Sequence, residues 1–104
     1  MSDDLLTIES TSDGDDRVVL VVEGELDPST SPQLDERLDD DVVAGRTVVL
    51  DLRGVQFVDS SGLRTLIGAS SRLGDRLVIR QPSAVVTRLF ELTGITDHFV
   101  LDAR

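Results

Sequence analysis

The chain contains no cysteine. That removes disulfides, thiolate nucleophiles and thiolate metal sites together. In a domain of this size it also favours a reducing compartment. Lysine is absent too, since every basic residue is arginine. Schiff-base chemistry and a phosphate-loop lysine are therefore excluded. Tryptophan and tyrosine are missing and there are only three phenylalanines, so the core has to be aliphatic. Val, Leu and Ile carry it, at ~1.5–3 kcal/mol for each fully buried side chain. No apolar run approaches the ~18 residues that would span a membrane. The start, Met1-Ser2-Asp3-Asp4, lacks the basic-then-apolar order of a signal peptide. The expectation is a cytoplasmic protein with no membrane part.

Acidic residues are plentiful. The formal charge is −10 over 104 residues, enough chain for one compact domain and not for two. Residues 1–52 carry a balance of −12 and residues 53–104 a balance of +2. Such a surface repels nucleic acid and anionic lipid. A protein with a basic patch complements it; the plainer use of the charge is solubility.

Leu5, Leu6 and Ile8 predict a short first strand after a lead-in, residues 1–4, that frays. Ser12 to Asp16 is a turn cluster. Val18 to Val22 is an unbroken β-branched and aliphatic run, a buried strand within Arg17–Glu23 that forms a hairpin with the first. Gly24 to Ser31 reads as a loop, with Ser31 capping a helix and Pro32 at its first position. Leu34, Leu38 and Val42 share one helical face. Asp39-Asp40-Asp41 is unfavourable near a helix C-terminus, so the helix is expected to weaken or end near there, with Gly45 as the outer stop. Thr47 to Leu52 is a second buried strand. After the polar turn Asp59-Ser60-Ser61-Gly62, a helix turns Leu63, Leu66, Ile67 and Ser70 inward and ends near Gly74. Gly68 within it is expected to serve close packing on the sheet. Leu77 to Ile79 is another strand. Pro82-Ser83 opens a helix with Val85, Val86, Leu89, Phe90 and Thr93 inward and Gly94 at its end. The tail packs Phe99 and Leu101 on the sheet. The order β-β-α-β-α-β-α predicts an α/β domain over residues 1–104. Its small, mostly parallel sheet has about four strands with three to four helices, chiefly on one side. The first strand pairs antiparallel. The loops Gly24–Ser31 and Gly54–Ser61 then lie at the carboxyl edge, where sites in open α/β sheets tend to sit.

Catalytic readings of this edge are poor. Ser60 or Ser61 as a nucleophile has only His98 as a base, and the turn lacks a Gly-x-Ser-x-Gly elbow. A serine hydrolase is therefore the remote alternative. One histidine and no cysteine leave only carboxylates for a metal, and adjacent aspartates on a helix do not share a face. A phospho-aspartate receiver domain is rejected for want of a lysine. What remains is a serine hydroxyl at a helix start, used either as an N-cap or as a phosphate acceptor.

Four segments, taken in order, add to this. They are Gly24-Glu25-Leu26-Asp27, Val49-Leu50-Asp51-Leu52, Phe57-Val58-Asp59-Ser60-Ser61-Gly62-Leu63 and the run Val85 to Gly94. Together they resemble the STAS domain of bacterial anti-sigma factor antagonists. The resemblance implies a non-enzymatic module without a cofactor of its own. It implies binding to an anti-sigma factor that is also a serine kinase, which frees a sigma factor. It further implies inactivation by phosphorylation at Ser60, with Ser61 as second choice, and reversal by a metal-dependent serine phosphatase. Asp27, Asp59, Ser60, Ser61, Gly62 and Leu63 would contact the partner, with Arg64 and Arg88 as outlying candidates. The leading alternative is a STAS subunit of another assembly, such as a lipid-transport complex, that uses the same face unphosphorylated. Pro28 after Asp27 stiffens the first loop.

Overall fold

The computed structural model describes residues 5–12, 14–96 and 99–102. The lead-in at residues 1–4, His98 and the side chain of Leu101 lie outside the described residues. The elements are β1 (Leu6–Ser12), β2 (Arg17–Leu26), α1 (Ser31–Ala44), β3 (Thr47–Val58), α2 (Ser60–Leu73), β4 (Leu77–Arg80), α3 (Ala84–Thr93) and β5 (Val100–Asp102). A single 3₁₀ turn, Gly74–Arg76, joins α2 to β4. The strands lie in the order β1-β2-β3-β4-β5, with β1 antiparallel to β2 and the rest parallel. The α/β reading and its strand directions hold, and the tail contributes a short fifth strand beside β4.

Alternation along the strands sends Val18, Leu20 and Val22 of β2, Val48, Leu50 and Leu52 of β3, and Leu77 and Ile79 of β4 to one face. They form one core with Leu34 and Leu38 of α1, Leu66, Ala69 and Leu73 of α2, and Val86 and Phe90 of α3. Phe90 stacks on Phe99 with ring centroids 4.8 Å apart. On the opposite face Val19, Val49, Val78 and Val100 run in register across four strands. This second apolar row is why β3 reads as continuously hydrophobic.

Several sequence-based boundaries move. Gly24 does not end β2. The strand runs on through its φ of +114°, and Leu26 keeps the core-facing alternation of Leu20 and Val22, while each of the two register shifts in this stretch leaves an extra residue on β3. β3 likewise continues to Val58. The α1 cap is Thr30 rather than Ser31, which is already helical. α1 also runs through Asp39–Asp41 to Ala44, with Gly45 as its C-cap. Two sets of ion pairs offset the unfavourable charge at this helix end. Asp41 is turned inward and accepts from Arg46 Nη1 at 3.0 Å. Asp35 and Asp39 both pair with Arg72 of α2. On α3, Val85 and Thr93 are exposed while Val86 and Phe90 carry the burial. Tertiary packing there uses a narrower stripe than the apolar residues offer.

Gly68 is a correction of another kind. A Cβ at this position would meet nothing within 4 Å, so close packing does not account for it. Gly68→Ala should therefore stabilise the protein by ~0.5–1 kcal/mol through helix propensity alone. Urea unfolding would check this; a lower midpoint in the variant would refute it.

Candidate functional site

Two loops meet where β2 and β3 end. In the first, Asp27 acts as an organiser. Its Oδ1 accepts from Ser29 N (2.9 Å), Ser29 Oγ (2.9 Å) and Thr30 N (3.0 Å). Its main-chain carbonyl accepts from Ser31 N at 2.9 Å, which leads directly into α1. The Thr30 hydroxyl has one proton. It lies 2.7 Å from Glu25 O and 3.1 Å from Asp27 Oδ1, while its oxygen accepts from Asp27 N at 2.9 Å. The hydrogen bond from the Ser29 hydroxyl, together with those from Thr30 and the Ser29 backbone, holds the Asp27 carboxyl below the usual carboxylate range against an opposing effect of desolvation. Asp27 is thus a fixed charge at neutral pH. Its contribution to stability is complete above the ordinary carboxylate pKa and is lost as pH falls through the lowered value.

The second loop is the turn into α2. Asp59 is its N-cap, in extended backbone, and its Oδ1 accepts from Ser61 N at 2.8 Å and Gly62 N at 3.2 Å. Ser60 therefore is not the cap. It stands at the first helical position, exposed, with its hydroxyl outside the capping scheme. Ser61, one residue on, is half-buried. Leu63 is half-buried and packs against the core.

The two loops are tied directly. Asp59 N donates to Leu26 O at 3.1 Å. Gly62 sits so close to the strand ends that a Cβ would lie 2.7 Å from Leu26 Cβ and 2.8 Å from a Val58 methyl. The geometry thus brings Asp27, Asp59, Ser60, Ser61, Gly62 and Leu63 to one corner. Arg64 and Arg88 are exposed.

Three contributors are not apparent in the candidate list drawn from sequence. Ser29 and Thr30 fix Asp27, and the run Asp-Pro-Ser-Thr is the turn chemistry that signals them. Phe57 is exposed although it reads as an apolar approach to the turn. The two register shifts between β2 and β3 break the alternation after Leu52, so Val55 is buried and Phe57 is not, and no simple sequence signal marks this.

A family profile described as "Mlab, STAS domain" matches residues 10–102. A protein of Listeria monocytogenes described as an anti-sigma-B factor antagonist is 35% identical over 96 residues, covering 88% of this chain and 84% of its own length. A Staphylococcus aureus protein of the same description is 36% identical over 96 residues, covering 88% of each chain. The crystal structure of an anti-sigma factor antagonist from Mycobacterium paratuberculosis superposes with a TM-score of 0.83 at 28% identity, over 95% of this chain and 86% of that one. The chain belongs to the STAS family of anti-sigma factor antagonists.

Proposed function

We propose that this protein is a cytoplasmic anti-sigma factor antagonist. It binds a serine-kinase anti-sigma factor through the Asp27 loop, the Asp59–Ser61 turn and the start of α2, and so releases a sigma factor. Phosphorylation of Ser60 by the bound kinase ends the interaction, and a metal-dependent phosphatase restores it. The domain is itself no enzyme; ATP and Mg²⁺ belong to the kinase. Neither nucleic acid nor membrane is a direct partner.

The observation that carries this reading is the exposure of Ser60 beside a cap supplied by Asp59. A hydroxyl that the helix does not need for capping is available for modification. The same geometry supports Ser60 over Ser61 as acceptor, because Ser61 is half-buried.

The test is binding of wild type, Ser60→Ala and Ser60→Asp to the anti-sigma factor kinases of the source organism, with mass-spectrometric mapping of the phosphate. The alanine variant should bind like wild type and the aspartate variant at least tenfold more weakly. Equal binding by both would favour the other reading, an unswitched subunit of an assembly such as a lipid-transport complex. The "Mlab" description of the matched profile is what favours that second reading.

A further inference from the structure

The corner beyond Ser60 carries apolar surface that the fold does not use. Of the three phenylalanines, Phe90 and Phe99 stack together in the core, whereas Phe57 is 47% exposed. Its strand explains why. Pairing of β3 with β4 stops at Asp51 and Arg80, so the last turn of β3 reaches past β4 and is held in the sheet by β2. Phe57 there pairs in register with Glu25, whose N–H donates to Leu5 O at 2.7 Å. Leu5 is also exposed, at 42%. Leu5, Glu25 and Phe57 are therefore neighbours in backbone register across three chain segments, at the point where Gln56 is the extra residue of β3.

An open cavity of about 510 Å³ adjoins these residues, lined by Leu5, Thr7, Glu23, Glu25 and Gln56 with Gly24 and Gly54 at its base. The two glycines belong to the irregular stretch of the β2–β3 ladder that forms it. The strands lining this cavity lead straight into the candidate site. Glu25 precedes Asp27 by two residues, and Phe57 precedes Ser60 by three.

Resting on the antagonist reading, we propose that Leu5, Glu25, Phe57 and the cavity are the second half of the kinase-docking surface. They take a partner segment that presents an apolar side chain next to an arginine or lysine. Phe57 is the anchor, because burying an aromatic ring already poised at the surface gains contact area at small entropic cost. Glu23 and Glu25 supply the complement to the cation, in line with the acidic balance of this half of the chain. A purely basic partner surface would leave the ring and Leu5 uncovered, and a purely apolar one would desolvate two carboxylates without compensation. A mixed segment satisfies both.

The test uses the full chain and the purified anti-sigma factor kinase of its own organism, with calorimetric Kd values and steady-state phosphorylation of Ser60. Phe57→Ala should weaken binding tenfold or more and raise KM while leaving kcat within twofold, because the ring contributes binding and carries no group that takes part in the phosphate transfer itself. Phe57→Leu should recover most of the affinity. Glu25→Arg should weaken binding similarly, and more at low salt than at high salt. Circular dichroism and thermal melts would establish that each variant is folded. Binding of Phe57→Ala within twofold of wild type would overturn the proposal while leaving the antagonist reading intact. Failure of the wild type to bind any of the kinases would remove the antagonist reading and this surface with it. A concentration-dependent dimer abolished by Phe57→Ala in sedimentation equilibrium would overturn the assignment differently, by giving the ring to a second copy of the chain.

Discussion

Gly24→Ala should lower stability by about 2–4 kcal/mol, the largest loss expected from adding one methyl group to this protein. Two separate effects contribute. The backbone at Gly24 has φ +114°, a conformation that costs a side-chain-bearing residue about 1–3 kcal/mol. The added Cβ would also lie 2.0 Å from Leu5 O, a backbone atom that cannot rotate away. Moving it would disturb the bond from Glu25 N to Leu5 O, worth about 0.5–1.5 kcal/mol net. For a domain of this size the melting temperature should fall by roughly 10 °C or more. Gly14→Ala separates the two effects. Gly14 has φ +99° and no atom within 4 Å of a Cβ, so the variant carries the backbone cost without the clash. If both variants lost the same stability, the close approach to Leu5 would not be a determinant of the fold. The consequence reaches the site, because the irregular ladder at Gly24 sets the direction in which β2 delivers Asp27.

The same glycine shows where sequence reasoning runs out. The buried strands were legible because a run such as Val18–Val22 has one good solution, and the crossover rule then fixed their directions. Helix ends marked by Gly45, Gly74 and Gly94 were legible for a similar reason, each being local chemistry. Gly24 was ambiguous. A glycine between a strand and a turn signals either an end or a continuing strand, and the pairing of Glu25 and Leu26 with β3, with Leu26 keeping the core-facing alternation of Leu20 and Val22, decides for continuation. The cap of α2 was ambiguous in the same way. Asp59, Ser60 and Ser61 are all good capping residues, and the choice depends on where β3 stops. Asp59 wins because its N–H is already bonded to Leu26 O, which leaves it in extended backbone at the helix entrance. The inward face of α2 also shifts, toward Gly62, Leu66, Ala69 and Leu73. Its apolar residues fit two overlapping stripes, and the close seat of Gly62 against Leu26 and Val58 selects between them.

Phosphorylation of Ser60 should weaken partner binding by a factor of about 100 or more at pH 7.5, equivalent to ~2.7 kcal/mol. A helix N-terminus ordinarily welcomes a phosphate because its first N–H groups lack partners. Here the N–H groups of Ser61 and Gly62 are already bonded to Asp59 Oδ1. A phosphate on Ser60 would have to displace that carboxylate to reach them. It should therefore stay at the surface, next to Asp59 and near the loop of Asp27, whose carboxyl is held ionised. A partner docking on this corner would have to desolvate a dianion amid like charges. The fold should be little affected, since the cap is intact, and the melting temperature of the phosphoprotein should stay within a few degrees of the unmodified form. The penalty should also depend on pH with a definite sign. The second phosphate ionisation has a pKa of ~6, and neighbouring carboxylates push it upward. On going from pH 7.5 to 5.5 the phosphate takes up a proton and loses one charge, while Asp27, with its lowered pKa, remains ionised. The ratio of phosphorylated to unphosphorylated Kd should consequently shrink at the lower pH. Using the ratio cancels any titration of the partner that both forms share. A ratio that stayed constant or grew would show that charge at Ser60 is not what closes the interface, and would shift the explanation to the bulk of the phosphate against the partner surface.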